Sequence, residues 1–242
     1  MPKNALAAVR VLVSALSLLL PVATLASDPP DSRLNPVNGC IQVVDATWTG
    51  ASFDVRHVTN RGGGHDATVE NLTTSAADDL DPKIAIGSSG DTWVVWERTG
   101  ATGQVVFRTL SISSGTWSPE RVLSAAGENA RNPRIVHDGV TAWVAYETAG
   151  TGSFGIRAGA TQDDPNPYGT LAAATTGPEA PALRLSAESG RVWTTWIDDA
   201  VSLGWSAYDA PSATWSVPAY EPIGADGVAA ARDRVRATVL EI

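Results

Sequence analysis

Cysteine is almost missing from this chain. Cys40 is the only one among 242 residues, so an intrachain disulfide is impossible. Lysine is nearly as scarce: apart from Lys3 there is only Lys83, and arginine carries the positive charge. Positive charge as a whole is short, with 17 Lys and Arg against 26 Asp and Glu and a formal net charge of −9. A surface this acidic repels phosphate backbones, which excludes nucleic acid as an expected partner. No stretch shows helical periodicity with caps at both ends. His-Glu-x-x-His, Gly-x-Ser-x-Gly and dense Asp-x-Asp-x-Asp-Gly runs are also missing. Zincin, serine-hydrolase and calcium-loop chemistry therefore lack their sequence signatures.

Long apolar runs are missing too. Val11 to Leu20 is the longest, well short of the ~20 residues that span a bilayer. Lys3 and Arg10 precede or flank it, Pro21 breaks it, and small residues surround a cleavage point after Ala26. Residues 1–26 thus read as a secretory signal peptide, which predicts a secreted or periplasmic protein without a membrane span. Loss of Lys3 and Arg10 with the leader would take the net charge from −9 to −11. Residues 27–39 read as a linker.

What the chain does have is a repeat. Trp93 and Trp96 in TWVVWE, Trp143 and Tyr146 in AWVAYE, and Trp193 and Trp196 in VWTTWI recur at a constant interval of 50 residues. A period of ~40–50 residues suits propeller blades. Each unit opens with a proline and a short run (Pro82-KIAI, Pro133-RIVH, Pro181-ALRL), then a Gly-, Asp- or Ser-bearing turn, then the aromatic strand. A third run follows (QVVFRTL, FGIRAGA, SLGWSAY), and a fourth segment such as TWSPERVLS closes the unit. Four β-rich runs between turn signals, repeated, predict four-stranded antiparallel blades. Trp93 and Trp96 should point to opposite faces and fill the space between blades.

Upstream, IQVVDATW, SFDVRHV and ATVENLT supply second, third and fourth strands without a first; downstream, residues 234–242 form a lone β-prone run. Pairing the two would close the ring and remove both sheet edges. The expected fold is an all-β propeller of about four blades: 82–131, 132–180, 181–224, and a composite of 40–81 with 230–242.

The run DPKIAIGSSGDTWVVWERTGATGQVVFRTLSISSGTWSPERVLS resembles one blade of the secreted bacterial sialidase-like propellers with BNR, or Asp-box, repeats. The resemblance covers residues 82 to about 222, with weaker traces from 41. It departs from the family at its most specific motif, Ser-x-Asp-x-Gly-x-Thr-Trp. SISSGTW (111–117) has Ser113 where Asp belongs and is one residue short; Asp209 to Trp215 is one residue too long and has no Gly. The resemblance implies a propeller fold. Active members use three arginines, a Tyr–Glu pair, an acidic Asp and an N-terminal Tyr/Phe-Arg-Ile-Pro motif on six blades. That motif is absent here, so no catalytic residue is carried over.

Candidate chemistry remains in three sets. Arg56, Arg108 and Arg157 occupy equivalent third-strand positions; such strands lie away from the axis, so these arginines are expected to pair with a neighbouring blade's carboxylate. Glu97, Glu147 and Asp198 follow the aromatic pairs and could in principle do acid/base work, yet repetition alone accounts for them. The face carrying the fourth-to-first and second-to-third connections should collect Asp78, Asp79, Asp81, Glu128, Arg131, Glu179, Asp198 and Asp199. That is the expected ligand-binding rim. No cofactor is implied, though such a rim could hold a hard cation such as Ca²⁺. The leading functional expectation is an exported, non-enzymatic binding module for a glycan or protein partner. The second is a reduced sialidase-like glycoside hydrolase, and the third a structural component of an envelope or secreted assembly.

Overall fold

The computed structural model describes residues 30–60, 67–149, 154–161, 169–175, 183–188, 191–198, 202–209 and 214–222. The expected leader, Glu179, Asp199 and the 230–242 run lie outside them. All regular structure among the described residues is β, in four antiparallel sheets. Sheet one holds β1 (Asp31–Leu34), β2 (Ile41–Trp48), β3 (Phe53–Asn60) and β4 (Thr68–Asn71). Sheet two holds β5 (Asp79–Ile86), β6 (Thr92–Arg98), β7 (Gln104–Ser111), β8 (Thr116–Trp117) and β9 (Arg121–Val122). Sheet three holds β10 (Ala130–His137), β11 (Ala142–Ala149), β12 (Phe154–Ala160) and β13 (Gly169–Thr175). Sheet four holds β14 (Arg184–Glu188), β15 (Arg191–Asp198), β16 (Ser202–Asp209), β17 (Thr214–Trp215) and β18 (Ala219–Pro222). Neighbours follow chain order, and the fourth position is split in sheets two and four, where β8 and β9 share β7 and β17 and β18 share β16.

First strands touch in succession, β1 with β5, β5 with β10 and β10 with β14. They therefore lie innermost, and the sheets stack face to face as propeller blades. Two features differ from the sequence expectation. The first-strand position of sheet one is filled by Asp31–Leu34, paired with β2 from Asp31 opposite Val44 to Leu34 opposite Ile41. This stretch was expected to be linker, and the position was expected to take the 230–242 run. Asp31 also ties the sheets together, its Oδ2 accepting from Ile84 N at 3.0 Å. Secondly, Pro82 and Pro133 do not open their strands. β5 and β10 start three residues earlier, and each proline sits in a register shift, between Leu80 and Lys83 and between Arg131 and Arg134. A bulge is where a strand tolerates a residue without an N–H.

The aromatic pairs do face opposite ways. Trp96 packs into the core between sheets one and two with Val44, Val55 and Leu72. Tyr146 packs between sheets two and three with Val105, Phe107 and Leu123, and Trp196 between sheets three and four with Ala145, Ile156 and Leu183. The second aromatic of each pair thus inserts against the preceding sheet. All three are fully buried, each contributing roughly 3 kcal/mol of transfer free energy. The first members turn the other way: Trp93 meets His137 of sheet three at 4.8 Å, and Trp143 meets Tyr208 of sheet four at 4.2 Å.

The degenerate Asp box still makes its hairpin. Gly115, at φ +67°, supplies the left-handed turn and donates from N to Ser111 O at 2.8 Å. Ser111 and Ser113 hydroxyls bond at 2.9 Å, standing where an aspartate would organise the loop. Trp117 then packs on the first interface core and donates from Nε1 to Glu70 Oε2 at 3.0 Å.

Candidate functional site

Inner strands begin, and second strands end, at one end of the molecule. Of the expected rim residues, Asp78, Asp79, Asp81, Glu128 and Arg131 collect there, and Asp79, Asp81 and Glu128 are held in ion pairs. Asp79 is fully buried and accepts from Trp96 Nε1 at 3.0 Å, Arg98 Nε at 2.8 Å, Arg98 Nη2 at 3.0 Å and Ser75 Oγ at 3.1 Å. Arg98 is shared with Glu120, from Nη1 to Oε2 at 2.8 Å. Asp81 is paired with Lys83 and, across the sheets, with Arg134 Nη1 at 2.8 Å. Glu128 accepts from Tyr146 OH at 2.9 Å, Ala125 N at 3.1 Å and Arg157 Nε at 2.9 Å. Asp78 Oδ1 accepts from Phe53 N at 2.9 Å. Asp198 ends β15, opposite Ser202. The carboxylates of Asp79, Asp81 and Glu128 are already engaged, and among the described residues no group of three or more His, Cys, Asp or Glu is placed to hold a metal ion. Charges of both signs reach solvent: the side chains of Arg131, Arg157 and Glu120 are each about a third exposed, at 30%, 32% and 35%.

One carboxyl is electrostatically unusual. Glu147 lies two residues before the end of β11 with 1% of its side chain exposed, and burial pushes its pKa up from 4.5 to about 7. Asn132, Arg131 and Arg134 pull it down, and Glu97 pushes it further up. Asn132 Nδ2 donates to Glu147 Oε2 at 2.8 Å and its backbone N donates to Glu97 Oε2 at 3.1 Å, so one residue bridges sheets two and three. Arg131 Nε lies 3.6 Å from Glu147 Oε2.

The third-strand arginines do not converge. Arg56 pairs within its own sheet, Nε to Asp45 Oδ1 at 3.0 Å, where a neighbouring blade's carboxylate was expected. Its cross-strand partner in the register is Asp45 itself, so the nearest acid wins. Arg108 donates to carbonyls, Leu72 O of sheet one at 2.8 Å and Ser118 O at 2.7 Å, and lies 5.9 Å over Trp117. Only Arg157 reaches a carboxylate from the preceding connection, Glu128.

Three groups were missed by the sequence reading: Lys83 and Arg134, which neutralise Asp81, and Trp48. Trp48 closes the β2–β3 hairpin at this same end, 55% exposed, with its ring 5.3 Å from Phe53. Its signal was a break in the repeat, because β6, β11 and β15 end at Arg98, Ala149 and Asp198. An exposed tryptophan and partly exposed guanidinium groups at one end of the molecule have the chemistry of saccharide contacts: a flat apolar face and groups that bind hydroxyls.

No protein-family model matches the sequence, and no curated protein matches it significantly. Solved structures do resemble it. The intramolecular trans-sialidase from Ruminococcus gnavus aligns with a TM-score of 0.53 at 9% identity, over 81% of this chain and 70% of that one. NanB sialidase from Streptococcus pneumoniae aligns with a TM-score of 0.50 at 8% identity, over 87% and 55%. A Trypanosoma rangeli sialidase mutant aligns at 0.49 and 10% identity, over 77% of this chain and 36% of its own length. The chain therefore spans about a third of the Trypanosoma enzyme's length and only part of the others. Together with the four stacked sheets, the first two likenesses establish the fold class: a sialidase-like β-propeller.

Proposed function

We propose that this chain is an exported propeller that binds a glycan at the end where its inner strands begin, without turning it over. The observation that carries the reading is the state of the rim. Asp79, Asp81 and Glu128 are engaged by Arg98, Lys83, Arg134, Arg157 and Tyr146, while Arg131, Arg157 and Trp48 are partly exposed. Glycosidic cleavage needs two carboxyl groups that reach the scissile bond. Groups tied into buried ion pairs are poorly placed for it, whereas exposed guanidinium groups and an indole face suit sugar hydroxyls and ring C–H groups. The sialidase-like neighbours lend the glycan its place in the proposal; a protein ligand is the alternative occupant.

One observation favours the hydrolase reading. Tyr146 OH donates to Glu128 Oε2 at 2.9 Å with Arg157 on the same carboxylate, the residue types that such enzymes pair. Tyr146 is 1% exposed, however, and its ring lies in the core between sheets two and three, so its hydroxyl serves that interface. A glycan array run beside a panel of fluorogenic glycosides separates the readings. Binding without turnover supports the module, turnover supports the hydrolase, and neither one removes the glycan.

A further inference from the structure

The inner strands carry a signature that the chain repeats beyond sheet four. Lys83-Ile84 on β5, Arg134-Ile135 on β10 and Arg184-Leu185 on β14 each pair a cation with an aliphatic residue, 51 and then 50 residues apart. The register makes them equivalent. Lys83 lies opposite Val95, Arg134 opposite Ala145 and Arg184 opposite Thr195, each just before the second aromatic of its sheet. Another 50 residues on, the sequence reads Arg234-Val235. These belong to the 230–242 run, whose expected place in sheet one is filled by β1.

The connecting length agrees. Residues 72–78 lead from β4 to β5 and residues 123–129 from β9 to β10, seven in each case. Seven residues, 223–229, also separate Pro222 at the end of β18 from Ala230. Pro222 lies opposite Ser202, where β16 begins, so the chain leaves sheet four at the end from which inner strands start.

Sheet four has a face to receive the run. Across earlier seams, the first aromatic of one sheet meets the inner-strand residue 44 positions later in the next. Trp93 lies 4.8 Å from His137, and Ala187 packs in the cluster around Trp143. Trp193 turns to the same side, 5.6 Å from Trp205. Both rings are partly exposed, and among the described residues Trp193 joins none of the buried clusters. The residue 44 positions after Trp193 is Ala237. Strand alternation puts Val235, Ala237 and Val239 on one face and Arg234, Arg236 and Thr238 on the other. Ala85 and Val136, the equivalents of Arg236, are apolar and packed against the following sheet. A polar residue at that position suits the outermost unit of a stacked series.

We propose that residues 230–242 dock as a fifth inner strand beside β14, lay Val235 and Ala237 on Trp193, and cap the open face of sheet four. Burial of the indole face drives the docking, and the arginines stay in water.

The test is NMR on the intact chain. The Trp193 ring should show nuclear Overhauser contacts to the Val235 and Ala237 methyl groups and be shielded from a soluble gadolinium chelate. Ala237→Asp sets a charge against the indole; the Val235 contacts should be lost and the Trp193 signals broadened by the chelate. Thr238→Asp, on the far face, should leave both as in the wild type. Contacts from 230–242 to Val43 or Val58 of sheet one, or none to Trp193, overturn the proposal. So does a Trp193 equally shielded in Ala237→Asp. Shielding that grows with protein concentration gives the face to a second copy and overturns it too. Should Ala237→Asp fail to fold, the wild-type contacts decide the matter alone.

Discussion

Asp81 and Asn132 stand one repeat apart and share a backbone conformation that side chains rarely adopt. Their φ angles are +47° and +49°, and each immediately precedes a proline, Pro82 or Pro133. Left-handed backbone at a residue with a Cβ costs roughly 1–2 kcal/mol, less for Asn and Asp, and persists only where neighbours hold it. The neighbours here are ionic. Asp81 is gripped by Lys83 and Arg134, and Asn132 by Glu97 and Glu147. The bulge aims both side chains into the seam between sheets two and three, joining strain, bulge and ion network at the proposed binding end.

Asn132→Ala should therefore destabilise the chain by about 2–3 kcal/mol, combining left-handed strain with loss of a buried hydrogen bond to a carboxyl group. Asn132→Gly relieves the strain and loses only the bond, so it should cost about 1 kcal/mol. Urea unfolding measures both. Equal costs would show that the backbone at 132 is not under strain.

Glu147 predicts a pH dependence of stability. Its folded pKa of about 7 lies above the ordinary 4.5. The stability linked to its proton is complete below pH 4.5 and is lost as pH rises through 7, amounting to roughly 3 kcal/mol. Glu147→Gln keeps an acceptor for Asn132 and cannot ionise. It should match the wild type near pH 4.5 and exceed it at pH 8. Denaturant unfolding at the two values reads the difference; parallel curves would place the titration elsewhere.

The 50-residue interval between Trp96, Tyr146 and Trp196 made the blades and their inter-blade faces legible in the sequence, because a large aromatic fits only where two sheets meet. β1 was illegible for a physical reason. DSRL has no alternation to mark a strand, and it is held by pairing with β2 and by Asp31 reaching Ile84 N, neither of which leaves a local trace. The rim was half legible. Repetition places Asp79, Asp81 and Glu128 near strand ends, but Lys83 and Arg134 sit past the bulges that turn them onto Asp81. Pattern alone cannot locate a bulge. Glu147 likewise looked like a strand-end acid equivalent to Glu97, and only packing shows which of the two is sealed from water.

Gly204 is fixed by its neighbour. It pairs with Trp196 across β15 and β16, and a Cβ there would fall 2.4 Å from both Nε1 and Cε2 of the indole. Gly204→Ala should drive the ring out of its core and cost about 1–3 kcal/mol, as overpacking does. Gly100→Ala is the control, because its nearest contact would be an ordinary 3.6 Å, and it should stay within about 0.5 kcal/mol. Thermal melts compare the two, with the red shift of tryptophan emission reporting the displaced indole.

Trp48 separates binding from folding. Its ring is 55% exposed and its aromatic neighbour is Phe53, 5.3 Å away at the end of a hairpin. Trp48→Ala should therefore change stability by no more than about 1 kcal/mol. If a glycan lies across this end, the same change removes the flat face that receives the sugar ring. The glycan identified on the array should then bind at least tenfold more weakly, equivalent to about 1.4 kcal/mol. Arg131→Ala should weaken it too, through a hydroxyl contact at the opposite side of the rim, while Val140→Ala, at a turn on the other end of sheet three, should not. Unchanged affinity in both Trp48→Ala and Arg131→Ala would move the ligand away from this end and leave the ion network as a purely architectural seam. Loss in Arg131→Ala alone would confine the site to the axis and make Trp48 an ordinary hairpin closure.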